Sequence, residues 1–295
     1  MNISEMIKVL RVSTGAGILD CKKALEATDN DLDKAIDWLR EKGISKAAKK
    51  AHRIAAEGLC DIVTDGNSAL IVEMNSETDF VAKNEKFIEF VREVANSALA
   101  AKAKNTEEAL AAKSGNGTVN DLVVGNTATI GEKLSLRRVD LFEKSDNDIF
   151  GTYLHMGGKI GVITVLENTD NEEVARDIAM HIAAINPTYL KESDIPSEEV
   201  ENERKIQLEA TKNDEKLKDK PENVLKGIVE GKLNKWKKEI CLLDQPFVKD
   251  TSMTVEQYLK NNNTNVVKYV RYLVGEGLEK RQDDFAQEVY SQVEK

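Results

Sequence analysis

Asn75-Ser76-Glu77-Thr78-Asp79-Phe80-Val81-Ala82-Lys83-Asn84 lies between the apolar run Ala69-Leu70-Ile71-Val72-Glu73-Met74 and a helical stripe that starts at Phe87. The apolar run reads as a strand, Asp65-Gly66-Asn67 as the turn leading into it, and Leu59-Cys60-Asp61-Ile62-Val63 as its hairpin partner. Phe87, Val91, Val94, Ala95 and Ala98 recur at helical spacing and predict a helix packed beside that hairpin. Segments joining regular elements run over the surface and carry function, so Phe80 beside the Asp79 carboxylate has two readings. In the local one, Ser76 or Thr78 caps the next helix, Asp79 sits at its positive end, and Phe80 folds back as a hydrophobic staple. In the other, the ring is presented to a partner.

A second copy of the unit bears on that choice. Ile149 to Leu154, the turn at Met156-Gly157-Gly158, and Ile160 to Leu166 form another hairpin. A helix follows with Val174, Ile178, His181, Ile182 and Ile185 in matching places. The stretch from Asn75 to Phe87 is twice as long as that from Asn168 to Val174, and the extra residues contain Thr78-Asp79-Phe80-Val81. The first copy was lengthened without need from the scaffold.

The chain of 295 residues is long enough for two or three domains. A net charge of -10 and a pI of about 5.1 argue against a nucleic-acid backbone as the main partner, and no direct nucleic-acid partner is expected. Cys21, Cys60 and Cys241 form no Cys-x-x-Cys pair and read as small core residues in a reducing compartment. The chain opens on an amphipathic helix without a signal or transit pattern, and no apolar run approaches membrane-spanning length. The expectation is a cytoplasmic protein with no membrane partner.

Residues 1 to about 43 read as three helices: one opened by Ser4 with Ile7 and Leu10 inward, one from Ile18 to Ala27, and one from Asp31 to Lys42 that stops at Gly43. Thr14-Gly15-Ala16-Gly17 is the first turn. Asp29-x-Asp31-x-Asp33 lacks the glycine and the bidentate glutamate of a calcium loop and reads as helix capping. Lys46 to Arg53 is a basic, solvated linker. Leu134 to Phe142 reads as a strand behind Ile130-Gly131-Glu132-Lys133, with a polar stretch at Ser114 to Asn120. Ser197 to Lys238 reads as two polar helices around a break at Lys212 to Pro221. Leu225, Val229, Leu233, Trp236 and Ile240 form the seam of the returning helix. Val266 to Val274 is a strand, and a helix around Phe285, Val289 and Val293 closes the chain.

No constellation for bond chemistry stands out. His52, His155 and His181 are scattered, and His181 takes a stripe position, as a satisfied core histidine would. Gly157-Gly158-Lys159 is no phosphate loop, because Ile160 stands where the magnesium-binding Ser or Thr belongs. The expectation is a protein that is no enzyme, with no metal, no nucleotide and no cofactor of its own. A hydrolase using Cys21 or His155 would need a base-nucleophile pair that neither motif shows.

Five collinear motifs carry a resemblance over essentially the whole chain. They are Thr14-Gly15-Ala16-Gly17 with Asp20-Cys21-Lys22-Lys23-Ala24-Leu25; Asn75 to Phe87; Met156-Gly157-Gly158-Lys159-Ile160-Gly161-Val162; Gln245-Pro246-Phe247-Val248; and Val274-Gly275-Glu276-Gly277-Leu278-Glu279-Lys280. Together they resemble the bacterial translation elongation factor Ts family. The resemblance implies an α+β fold. It has a ubiquitin-associated-like three-helix domain (1–53 with its linker) and two related α/β subdomains (54–143 and 144–280). A projecting antiparallel helical hairpin stands at about 197–240, and a C-terminal helix at 281–295. It implies a guanine-nucleotide exchange factor for elongation factor Tu, acting in translation elongation in a complex of equal stoichiometry or a dimer of such pairs. By the same resemblance, Thr78, Asp79, Phe80 and Val81 enter the partner near its magnesium site. Leu19, Asp20 and Cys21 contact the same partner domain, and His155, Gly157 and Gly158 lie in a further contact turn. The alternative is an adaptor of ribosomes or nascent chains that uses the ubiquitin-associated-like domain without exchange activity.

Overall fold

A computed structural model of the chain describes residues 1–14, 16–215, 217 and 220–279, without the side chains of Val12 and Ser13. Gly15, Lys280, the expected closing helix and three positions of the 211–221 segment lie outside the described residues. The chain forms two compact units. The first is Met1–Glu143 with Leu154–Gly161 and the chain from Tyr272; the second is Lys144–Tyr153 with Val162–Arg271. The sequence placed all of 144–280 in one subdomain and set 1–53 apart from 54–143, whereas the first unit contains residues from all three spans.

The first unit begins with α1 (Ile3–Thr14), α2 (Ile18–Ala27) and α3 (Leu32–Ala48). Leu10, Cys21, Ala24, Leu25 and Ala35 are their shared core. Asn2, not Ser4, caps α1: its Oδ1 accepts from Glu5 N at 2.9 Å and its N–H donates to the Glu5 carboxylate at 2.8 Å. Asp31 caps α3 by accepting from Lys34 N at 3.1 Å, which is the capping role expected of the aspartate cluster. Gly43 does not stop α3. It is buried within the helix, where a Cβ would sit 3.7 Å from Ala128 Cβ, an ordinary van der Waals contact. The residues of the basic linker are exposed or half-buried, as read.

β1 (Glu57–Asp65) and β2 (Ser68–Ser76) pair antiparallel from Glu57 opposite Ser76 to Asp65 opposite Ser68. α4 (Asp79–Ala82), α5 (Glu85–Ala100), α6 (Thr106–Ala111), β3 (Lys113–Ser114), β4 (Gly117–Thr118), α7 (Val119–Ile130) and β5 (Ser135–Glu143) follow. β5 pairs antiparallel with the other side of β2, giving a sheet in the order β1-β2-β5. Phe87, Val91, Val94, Ala95 and Ala98 of α5 are buried in one core with Leu70, Val72 and Met74 of β2, as their spacing required. α6 and α7 were not read from the sequence. α7 is rich in Val, Thr and Asn, poor helix formers, and begins at a capping box between Thr118 and Asp121. Its packing partner is α3, with Arg40 paired to Asp121 at 2.7 Å.

Glu73 is fully buried on β2, the central strand. Arg137 and Arg138 of β5 reach it at 3.0 and 2.5 Å, Gly275 N–H donates at 2.9 Å, and Asn75 Nδ2 at 3.1 Å. Burial pushes its carboxyl up, and the Gly275, Arg137 and Arg138 donors more than reverse this, leaving the pKa below the ordinary value. This contact, with Cys60 N–H donating to Gly158 O at 2.7 Å, explains why the segments at 154–161 and from 272 group with the first unit.

In the second unit, β6 (Ile149–His155) and β7 (Ile160–Glu167), whose ends belong to the first unit, are followed by α8 (Glu172–Ile185). Then come α9 (Ser197–Lys212), α10 (Glu222–Ile240), β8 (Pro246–Phe247), β9 (Asp250–Thr254), α11 (Val255–Asn261) and β10 (Asn265–Leu273). The sheet order is β10-β7-β6. Val174, Ile178, His181 and Ile182 are buried; Ile185, read as part of the stripe, is 45% exposed at the last turn of α8. His181 Nε2 donates to Gln245 Oε1 at 3.0 Å and its Nδ1 accepts from Val248 N at 3.2 Å. It is a satisfied core histidine, with burial holding its pKa down. α9 and α10 pack on one another, with Val229 and Leu233 of the seam buried and Leu225, Trp236 and Ile240 half-buried.

We predict that Glu73→Ala, which leaves two guanidiniums facing an empty site, costs about 3 kcal/mol in urea unfolding. Because the folded pKa is depressed, Glu73 contributes stability above its unfolded pKa of about 4.3 and loses it as pH falls through the lower folded value. Wild-type stability measured from about pH 5 to pH 3 should therefore fall more steeply than that of the variant.

Candidate functional site

β2 delivers the chain to the tip at Ser76, whose Oγ donates to Thr78 O at 2.9 Å. Thr78 Oγ1 accepts from Val81 N at 3.4 Å and caps a single helical turn, Asp79–Ala82. Asn84 Oδ1 then accepts from Lys86 N at 2.9 Å and caps α5. The stretch that read as a loop is thus one turn of helix held between two caps. Ala82 is buried and Val81 packs against the core, so the turn has an anchored face. Phe80 is on the other face, 83% exposed. The cap of the local reading holds for Thr78; the staple does not, because Phe80 covers nothing.

Asp79 lies at the first position of the turn, where a carboxylate meets the positive helix end. Lys83 Nζ is 2.5 Å from its Oδ2. That hydrogen bond holds the Asp79 carboxyl below its ordinary pKa, and the charge of Lys159 acts in the same direction. Asp79 is therefore an anion at neutral pH.

Two residues behind the tip were passed over in the sequence. Glu132 accepts three hydrogen bonds from it: Glu77 N at 3.1 Å, Thr78 N at 3.0 Å and Thr78 Oγ1 at 2.7 Å. In return Glu77 accepts from Lys133 N at 2.6 Å and from Arg53 at 3.2 Å, while Lys133 Nζ donates to Ala51 O and Arg53 O. Gly131, at φ 85, ends α7 and turns the chain into this position. No local signal marks Glu132, since its partners are more than fifty residues away in sequence.

The remaining candidates divide. Met156 is 73% exposed, and His155 and Gly157 are also exposed on their turn, whereas Gly158 is buried. A Cβ on Gly158 would come within 2.7 Å of Cys60 O, so this buried glycine seats the turn on β1. Leu19 is 73% exposed and Asp20 is tied to Lys46 at 2.7 Å. Cys21 is fully buried on the inner face of α2, as the core reading of the cysteines had it, so of the three residues that the resemblance implies as contacts here its side chain alone is covered. All of these residues belong to the first unit. Among the described residues, no group of His, Cys, Asp or Glu is placed to hold a metal ion. No helix among them is long and apolar enough to cross a membrane.

Residues 77–276, from the tip to the segment that seats on Glu73, match the family described as Elongation factor TS. The chain belongs to the elongation factor Ts family. Elongation factor Ts of Acholeplasma laidlawii (strain PG-8A) is 55% identical over 291 residues, covering 98% of both chains. The match extends beyond the family region to the three N-terminal helices, where Leu19 and Asp20 lie.

Burial pushes the thiols of Cys21, Cys60 and Cys241 up, the last to about 11. All three should react with an aromatic disulfide reagent only as the protein unfolds. Rapid modification of one thiol in the native protein at neutral pH would contradict their placement.

Proposed function

We propose how this chain carries out the work of its family, guanine-nucleotide exchange on elongation factor Tu. It binds the GDP form of the partner and brings the Asp79-Phe80 tip to the magnesium side of the nucleotide site. Phe80 is the apolar wedge, and the Asp79 anion disturbs the polar network that holds the metal and the β-phosphate. The factor makes and breaks no covalent bond; it favours a conformer of the partner that no longer fits GDP. Linkage makes the effect reciprocal, so returning nucleotide expels the factor.

One observation carries this reading: a phenylalanine left 83% exposed on a capped, core-anchored turn in a member of this family. Burying such a ring is worth about 1.5–3 kcal/mol, or roughly 10- to 100-fold in an equilibrium. That alone is too little to open a tightly closed site, so further contacts must hold the wedge in place. The exposed Leu19 on α2 and the turn at His155 to Gly157 are suited to supply them. The complex is one of equal stoichiometry and forms in the cytoplasm, without nucleic acid or membrane as direct partner.

Release of fluorescent GDP from elongation factor Tu tests the reading. Catalytic amounts of the chain should accelerate release, and the chain alone should bind no guanine nucleotide. Phe80→Ala should slow stimulated release about 10- to 100-fold. It should cost under about 0.5 kcal/mol of stability, because the ring makes little contact in the free protein. No acceleration at stoichiometric factor would refute the exchange role, and a Phe80→Ala variant as fast as wild type would refute the wedge.

A further inference from the structure

We infer that Glu132 is a positioning residue for exchange: it fixes the direction in which Phe80 and Asp79 leave the protein. The role rests on the reading of the tip given above. Between the last residue of β2, Ser76, and the first residue of α4, Asp79, the chain crosses only Glu77 and Thr78. Both of their backbone N–H groups donate to one oxygen of Glu132, and the Thr78 hydroxyl donates to the other. Neither N–H belongs to the sheet, and neither has a partner within the α4 turn, where the first amides of a helix are unsatisfied. A single carboxylate thus holds both residues through which the tip can pivot.

The hydroxyl bond matters in a second way. Thr78 Oγ1 has one proton and two lone pairs. Donating that proton to Glu132 leaves its lone pairs for Val81 N, the bond that closes the turn carrying Phe80. Glu132 therefore sets both the hinge and the rotamer of the cap. The neighbouring pair works in the opposite sense, since Glu77 accepts from Lys133 N at 2.6 Å, so two adjacent residues on each side grip one another. Glu132 is half-buried behind the tip, and its two carboxylate oxygens are both engaged with the tip's own backbone and side chain. It acts through Phe80, whose presentation it determines.

An effector held loosely spends its binding energy on ordering itself before it can displace anything, and small misplacements cost large factors in rate. In Glu132→Ala the plateau rate of GDP release at saturating factor should fall about 10-fold or more. The concentration giving half of that plateau should move by no more than about 2-fold, because surfaces away from the tip are untouched. Hydrogen-deuterium exchange should show lost protection over residues 77–82 while the amides of β1, β2 and α5 keep theirs. Glu132→Gln retains one carbonyl oxygen for the two amides and should recover part of the plateau. The decisive comparison is a double-mutant cycle: in a Phe80→Ala background, adding Glu132→Ala should slow release by clearly less than it does in the wild type, since the wedge is gone and only Asp79 is left to aim.

Two outcomes overturn the role. One is a Glu132→Ala variant that exchanges at the wild-type rate although protection at residues 77–82 is lost. The other is an equal loss on both the wild-type and the Phe80→Ala backgrounds, which would make Glu132 a general support of the fold. If Glu132→Ala does not fold, Glu132→Gln enters the same cycle and the same two results decide. If Phe80→Ala proves as active as wild type, the wedge reading itself is refuted, and the positioning role goes with it whatever Glu132 variants do.

Discussion

A carboxylate without water must be met by donors, and Glu73 on the central strand of the first unit imposes that constraint on everything around it. Its donors come from β5 on one side and from the backbone of Gly275 near the end of the described chain. A hydrophobic residue at this place would pack a strand; an ion there fixes which arginines lie beside it and which distant segment returns to it. Arg138 is shared further, lying over the ring of Tyr272 at 4.1 Å, and Tyr272 in turn donates to Asp140 at 2.7 Å. The sheet β1-β2-β5 is thereby held on one face by charge and on the other by the aliphatic side chains of β2 and α5.

That rigidity reaches the tip because the tip is the continuation of β2. The strand is buried along its whole length and ends at Ser76; three residues later the chain is helical. Glu132 and Lys133, at the start of the run into β5, meet the intervening residues edge-on. The strand before the tip is thus the centre of the sheet, and the loop behind it leads directly into the sheet's β5. The exposed ring is tolerated because it is held at a point where neither backbone direction is free, and its neighbour Val81 is spent on the core. An exposed phenylalanine on a mobile loop would lose ordering entropy on binding; on this turn most of that cost is met in the folding of the factor itself.

Periodicity revealed the elements whose burial is one-sided. The α5 stripe, the β1-β2 hairpin, the second hairpin with α8, and the α10 seam were all legible, because apolar spacing reports directly on the face that leaves water. In α7, which went unread, that signal is short and interrupted. α7 buries only Val119, Val123 and Thr127 at helical spacing, a short stripe masked by Gly125, Asn126 and Thr129, and it is further held by a capping box and by packing against α3. Gly43 looked like a stop and instead lies buried inside α3, because a glycine permits a helix to end without requiring it and the sequence does not say what packs beside it. Cys21 was read as a small core residue and also, by the resemblance, as part of a contact with Leu19 and Asp20; one step along a helix turns a side chain by about 100 degrees, and Cys21 faces the core.

The sequence by itself determined the family, the repeated hairpin-plus-helix units, and the fact that the first copy carries an enlarged tip with Thr78, Asp79 and Phe80 on it. The family rests on the resemblance of collinear motifs; the units and the tip are properties of spacing along one line of chain. Only the tertiary structure decided that Phe80 points outward, that Thr78 rather than Ser76 is the cap, and that Glu132 stands behind both. Whether a ring is a staple or a wedge depends on what fills the space beneath it, and here that space is taken by Val81 and Ala82 packed on the core. The partner of a backbone N–H can be any acceptor that folding brings near. Those of Glu77 and Thr78 found theirs in a residue that β5 pairing carries to the end of β2, a placement no local pattern encodes.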